Sequence, residues 1–322
     1  DELPQALNPA AGYLQNCNSS PFQVTDGDNP QPADYPSYLV QDAEVMTRRS
    51  RRSLQILREM DDVTFEQWQQ AAFDTEVYWA QRQLPEYAAQ MQRLERSQPR
   101  LARRVRPYLE HLLQWDRRID VDSTAATLCQ AWYEQLHGRG YPGEQLRKSY
   151  RDAPDKQLQA LAIAAERLEA IHGDWRIAYG ELFRIQRQPR VADLFDVRFA
   201  DDKPSLPCLG GHGPMGVVFT QYYSPSIDIP LLIRQRRRYG MVGASYLAAW
   251  EFDAGGVRGA SLTPFGTNGD PDSPHYLDQA QLLSEQRLKT ELFSRRQVVR
   301  NAVDSYRPGA RKTRSDPRDR GR

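Results

Sequence analysis

Cysteine is nearly absent. Cys17, Cys129 and Cys208 are the three cysteines among 322 residues, far apart and without a CxxC pair. This scarcity excludes a zinc ribbon, a thioredoxin-type site and a disulfide scaffold, and at most one disulfide can form. Histidine is also sparse: His111, His137, His172, His212 and His275 stand singly, with no HxH or HxxxH pair, which argues against a metal site built on histidine. An excess of either charge is missing, with 43 Lys plus Arg against 42 Asp plus Glu. No global field therefore draws the chain to nucleic acid or anionic lipid, and no nucleic-acid partner is expected. Long apolar runs are missing too. Ile229 to Ile233 and Leu247 to Trp250 fall far short of the roughly 20 residues that a membrane span needs, so none is expected.

What the chain does contain is enough apolar surface for one large core or two ordinary ones, with 39% hydrophobic and 10% aromatic residues. Four segments are expected. Residues 1–47 are rich in Pro, Asn, Asp and Gly and read as a loop and sheet-edge segment with one strand at most. Residues 48–203 read as helical. Thr64 and Gln67 make a capping box ahead of a helix that puts Phe65, Trp68, Ala72 and Trp79 near one face. Pro85, Pro99 and Pro107 divide the stretches that follow. Ser123 is an N-cap, and His137-Gly138 ends the helix it starts. Residues 204–306 are β-rich, with strands at Val217 to Tyr223, Tyr239 to Phe252 and Val257 to Thr263, a hairpin signal at Ala254-Gly255-Gly256, and helices at Asp278 to Gln286 and Ser294 to Val303. Residues 307–322 carry almost nothing apolar and read as a disordered tail.

Three constellations bear on chemistry. Gly210-Gly211-His212-Gly213-Pro214-Met215-Gly216 has glycines, but neither the lysine of a P-loop nor the spacing of a dinucleotide fingerprint. It reads as a tight loop entering a strand at Val217. Arg48, Arg49, Arg51 and Arg52 spread over more than one helix face, with Glu44, Glu59, Asp61 and Asp62 nearby. They are either a solvated helix start or a source of one inward arginine that orients a reacting group. The third constellation, Asn8-Pro9-Ala10-Ala11-Gly12-Tyr13-Leu14-Gln15-Asn16-Cys17-Asn18-Ser19-Ser20-Pro21-Phe22, sets three asparagines and two serines around turns with no charge. Its residues serve either as turn formers or as carboxamides aimed at a developing oxyanion.

This last segment resembles the Asn-Pro-x-x-Gly-[aromatic]-x-x-Asn-x-Asn-x-x-Pro stretch of the penicillin acylase (penicillin amidase) family of N-terminal nucleophile hydrolases, including the acyl-homoserine lactone acylases. Further matches follow in the family's order: Asp34-Tyr35-Pro36, the Arg48 to Leu57 helix leading into Val63-Thr64-Phe65-Glu66-Gln67-Trp68, Trp115-Asp116 with Asp122-Ser123, Gly173-Asp174-Trp175, and Gly269-Asp270-Pro271-Asp272-Ser273-Pro274-His275-Tyr276-Leu277-Asp278-Gln279. The resemblance implies an α+β fold: the C-terminal portion of an αββα N-terminal nucleophile fold, with a helical section between sheet-forming segments. It also implies hydrolysis of an N-acyl amide by a precursor that cuts itself into α and β chains. The new N-terminal serine is then nucleophile, its own amine is base, and an acyl-enzyme forms. The carboxamide of the second Asn in Asn-x-Asn, here Asn18, is the implied oxyanion donor. The implied arginine beside the nucleophile's amine falls on Arg49, with Arg48 and Arg52 one register slip away.

Asp1 has no hydroxyl or thiol and cannot be that nucleophile. The resemblance therefore casts these residues as the C-terminal part of the β chain of a longer acylase. Its partners are the missing α chain and the N-terminal part of the β chain, and the fragment alone is expected to be inactive. The implied substrate is a small N-acyl amide: an acyl-homoserine lactone, a lipopeptide or a β-lactam side chain. The resemblance further implies a periplasmic or secreted protein and one structural calcium. Asp34 and Asp42 lie near a family ligand position without aligning to it, so the metal ligands stay unassigned. His275 is expected to be structural, in a turn packed against the sheet. The competing reading is an inactive truncated chain, or a helical interaction module presenting Arg48 to Arg52 to an acidic partner.

Overall fold

The computed structural model describes residues 3–138, 146–187, 199–225, 227–229, 233–305, 307 and 309. Among them residues 3–47 contain no strand, and the Pro32–Asp34 turn is the one helical element. This segment thus contributes loops where a sheet edge was expected. Six helices follow: α1 (Arg48–Glu59), α2 (Phe65–Ala71), α3 (Tyr78–Ser97), α4 (Pro99–Leu113), α5 (Thr124–His137) and α6 (Pro154–His172). A short α7 (Tyr179–Leu182) leads into the β-rich part. There β1 (Phe183–Ile185), β2 (Leu206–Pro207), β3 (Gln221–Tyr223), β4 (Ile227–Ile229), β5 (Ile233–Gln235), β6 (Arg238–Gly243), β7 (Leu247–Asp253) and β8 (Gly256–Leu262) precede α8 (Asp278–Ser284), β9 (Lys289–Thr290) and α9 (Arg295–Asn301). The class is α+β, as expected. The expected tail lies outside the described residues apart from Arg307 and Gly309.

Local chemistry accounts for most helix ends. Thr64 Oγ1 accepts from Gln67 N–H at 3.2 Å while Gln67 Oε1 accepts from Thr64 N–H at 2.9 Å, closing the capping box. Ser123 Oγ caps α5 by accepting from Ala126 N–H at 3.1 Å, and Gly138, at φ 99°, ends it. Pro99 occupies the first turn of α4, where its missing N–H costs nothing. Pro85 and Pro107, however, lie inside α3 and α4 and divide nothing. Each removes one ladder bond, but the neighbours Leu84 and Tyr87, and Val105 and Leu109, are buried on the same helices and keep them continuous. The single face predicted for Phe65, Trp68, Ala72 and Trp79 is also corrected. The helix stops at Ala71, Trp79 belongs to α3, and Trp68 is 42% exposed.

The main core lies among α3 to α6 and the β1–β6 sheet. At its centre Trp79 meets Trp132 and Tyr133 edge-on, each at 5.3 Å, and Tyr87 lies 4.6 Å from Trp132. Such pairs add about 0.5–1.5 kcal/mol beyond the area they bury. Trp132 Nε1 donates to Gln157 O at 2.9 Å, so its polar edge is satisfied.

One sheet has the order β2-β1-β6-β3, with β1 and β6 parallel and the other pairs antiparallel. A second is the β4-β5 pair and a third is β7-β8-β9. The β7–β8 hairpin turns at Ala254-Gly255, as the glycines predicted. No strand starts at Val217. Strand β3 begins at Gln221, because Val217 and Phe219 are buried in the core and the chain from Gly216 is still turning. In the late motif Tyr276 and Gln279 are the buried residues, whereas His275 is exposed and its Nδ1 lies 2.9 Å from Asp278 Oδ2. The three cysteines are free thiols, with Cys129 and Cys208 buried.

Candidate functional site

The loop that carries Asn18 is built by short polar ties. Gln15 N–H donates to Val24 O at 2.8 Å, and Asn29 Oδ1 accepts from Val24 N–H at 2.7 Å. Asn18 itself adopts a left-handed conformation at φ 58°, which asparagine tolerates better than most residues. Its N–H donates to Asn16 Oδ1 at 2.9 Å, an Asx turn that makes the first asparagine of the motif a support for the second.

Contacts along its length join this loop to α1. Thr47 caps α1 by accepting from Ser50 N–H at 3.1 Å, and its hydroxyl donates to Cys17 O at 2.9 Å. The residue that starts the helix therefore also fixes the peptide preceding Asn18. Further along, Arg58 grips Asp26 through two bonds of 2.6 Å, and the Tyr13 hydroxyl donates to the same carboxylate. The Arg58 bonds, then the Tyr13 bond, hold the Asp26 carboxyl down to about 2.

The four arginines at the start of α1 go four ways. Arg52 is buried and bidentate to Asp74, with Nε–Oδ1 2.9 Å and Nη2–Oδ2 2.7 Å, and also lies 3.0 Å from Glu76. Arg48 turns the other way and donates to Pro214 O at 2.8 Å. Arg51 is exposed. Arg49 Nη2 donates to Asn18 Oδ1. A guanidinium can only donate, so the carboxamide oxygen must face Arg49. The Nδ2 group makes no hydrogen bond among the described residues and is left as the donor. The structure thus brings together Asn18 and Arg49, two residues 31 positions apart, and separates Arg48 and Arg52 from them. The four arginines therefore do not act as one group.

Behind this pair lies the glycine-rich run, a loop as expected. Gly216 is at φ 84°, and a side chain there would strike Tyr78 Cβ at 2.6 Å and Arg48 Cβ at 3.0 Å, so this close approach to α1 requires glycine. His212 is buried, stacks on Tyr222 at 4.9 Å, and lies 3.5 Å from Glu134 Oε1, which also accepts from buried Arg238 at 2.8 Å. Burial pushes His212 down to about 4, a shift that Arg238 aids and Glu134 opposes. Among the described residues no group of three or more His, Cys, Asp or Glu side chains converges to hold a metal, and Asp34 and Asp42 are exposed. The calcium ligands therefore stay unassigned among the described residues.

Sequence reasoning missed the Tyr13–Asp26–Arg58 clamp and the Asp74–Glu76 partners of Arg52. No local signal marks contacts between residues 13 to 32 positions apart.

The penicillin amidase family matches residues 1–300, and the chain belongs to that family. Among solved structures it is similar to a thermostable penicillin G acylase from Alcaligenes faecalis, with 18% identity and a TM-score of 0.48 over 94% of this chain. The chain spans 57% of the length of that one. No helix among the described residues is long and apolar enough to cross a membrane.

Proposed function

We propose that these residues supply the oxyanion donor and its support in an acylase that hydrolyses N-acyl amides through an N-terminal serine nucleophile, the serine coming from polypeptide outside this sequence. The observation that carries the reading is the Arg49-to-Asn18 hydrogen bond. It occupies the carboxamide oxygen and leaves the Nδ2 donor for a tetrahedral intermediate, where an oriented amide in place before reaction costs no reorganisation. The donor sits on a loop fastened to α1 at Thr47 and Arg58, so its orientation is set by a helix rather than by the loop alone. Membership of the family supports the same assignment.

The chemistry is acyl transfer to the serine, whose amine takes the hydroxyl proton and passes it to the departing amine as the C–N bond breaks; water then cleaves the ester, releasing the acid and restoring the serine. Asn18 stabilises the oxyanion in both steps and Arg49 orients Asn18. The substrate class proposed is an acyl-homoserine lactone, a lipopeptide or a β-lactam side chain. The compartment proposed is the periplasm or the exterior. One structural calcium belongs to the proposal, with its ligands unassigned.

The test is the complete, processed enzyme assayed on chromogenic N-acyl amides of graded chain length. Asn18→Ala should lower kcat by about 10²–10³ with little change in KM, as for a donor used in the transition state. An unchanged kcat would sink the assignment.

A further inference from the structure

Gly210 to Gly216 takes no part in nucleotide chemistry, yet it packs directly against one arginine of the candidate site. Gly213 opens a buried turn, Gly213–Met215. A Cβ at Gly213 would stand 3.1 Å from Arg49 Nε, 3.3 Å from Arg49 Cδ and 3.2 Å from the Tyr222 hydroxyl. Carbon contacts settle at about 3.5–4.0 Å, so the space a side chain would need is already taken by the arginine stem and the phenol. Gly213 is not among the residues with left-handed backbone. The demand for glycine here is therefore proximity, unlike that at Gly216.

The other wall is also fixed. Tyr222 stacks on buried His212, and its backbone pairs with Val242 in the β3–β6 ladder. Arg49 thus leaves α1, runs past the bare backbone of Gly213 and reaches Asn18 with its Nη2.

We infer that Gly213 is a positioning residue. Its lack of a side chain, with Tyr222 opposite, sets the path along which Arg49 reaches and orients the Asn18 carboxamide. The inference rests on the reading of Asn18 as the oxyanion donor. A Cβ at this position displaces Arg49 by a few tenths of an ångström near its Nε, a shift that grows toward Nη2 and loosens the bond to Asn18.

The experiment uses the complete enzyme. Gly213→Ala should lower kcat by about ten- to a hundredfold, since small misplacements at a catalytic group cost rate, while KM stays within about twofold. Tyr222→Phe added to Gly213→Ala should restore part of kcat, because removing the hydroxyl gives the new methyl room away from Arg49. In an Arg49→Ala background Gly213→Ala should cost nothing further, since the stem it crowds and the donor it displaces are both gone. This double variant carries the comparison if Gly213→Ala alone does not fold. A kcat within twofold of the unaltered enzyme, or a loss that simply adds to that of Arg49→Ala, overturns the inference.

A crystal structure of Gly213→Ala decides the point without activity. Separation of Arg49 Nη2 from Asn18 Oδ1 beyond about 3.5 Å is expected, and an unmoved pair overturns the inference. If the unaltered enzyme cleaves no N-acyl amide, the functional reading fails, while that distance still judges the positioning.

Discussion

Helices α3 to α6 are held by apolar burial, whereas residues 3 to 47 are held by polar and charged ties. Leu128, Trp132 and Leu161 are completely buried in the helical core, while Leu7 is 87% exposed and Leu14 50% in the loop. The loop keeps its shape through Thr47, the Asx turn at Asn16 and the Asp26–Arg58 pair. The difference teaches that the residue proposed for chemistry sits on a part of the molecule with little apolar anchoring. Its geometry can be disturbed without unfolding the core, and the core can be weakened without first moving the site.

The comparison breaks most heavily in the core. Trp132→Ala should remove about 3–5 kcal/mol of stability, measured by denaturant unfolding, because a fully buried indole leaves a cavity and its bond to the Gln157 carbonyl is lost. Arg52→Met should cost nearly as much, about 3 kcal/mol, since it strands buried Asp74 and its neighbour Glu76 without their main cation. A loss below 1 kcal/mol in either would mean that the core does not hold the fold in the way argued.

A smaller effect comes from pH. His212 is held at about 4 by burial, against about 6.5 when exposed, so the unfolded chain takes up the proton first. Its contribution is complete above about pH 6.5, declines as pH falls toward 4 and levels off below, with a slope no steeper than about 1.4 kcal/mol per pH unit. His212→Gln should flatten that part of the curve. An identical pH dependence in both proteins would show that the ring titrates alike in the folded and the unfolded chain.

The smallest global effect belongs to the loop. Asp26→Asn should change stability by less than about 1 kcal/mol, because the pair with Arg58 is half exposed. It should nevertheless speed amide hydrogen exchange and proteolysis between Tyr13 and Asn29, while α5 and α6 stay protected. Equal protection in the loop before and after the substitution would assign its order to some other contact.

Much of the helical frame was legible. Thr64 with Gln67, Ser123, Pro99 and Gly138 mark ends through bonds made within a few residues, and the Ala254-Gly255 turn follows from its glycines. Pro85 and Pro107 misled because the penalty of a proline is local while the burial that outweighs it comes from other helices. Asn18 and Arg49 were readable as candidates from the family resemblance, and the spacing alone left Arg48 and Arg52 as rivals. The fates of those three side chains depend on Asn18, Pro214 and Asp74, which lie 31, 166 and 22 residues away.

By itself, then, the sequence determined the helical and β-rich segments of the α+β class, several helix ends and the asparagine motif, since caps, turns and apolar periodicity act over a few residues. Only the tertiary structure decided which arginine meets Asn18, which is buried against carboxylates, and that Gly213 must be bare where Arg49 passes. Those outcomes depend on distances between segments far apart in the chain, and side-chain contacts at 3 Å are specified by packing rather than by spacing.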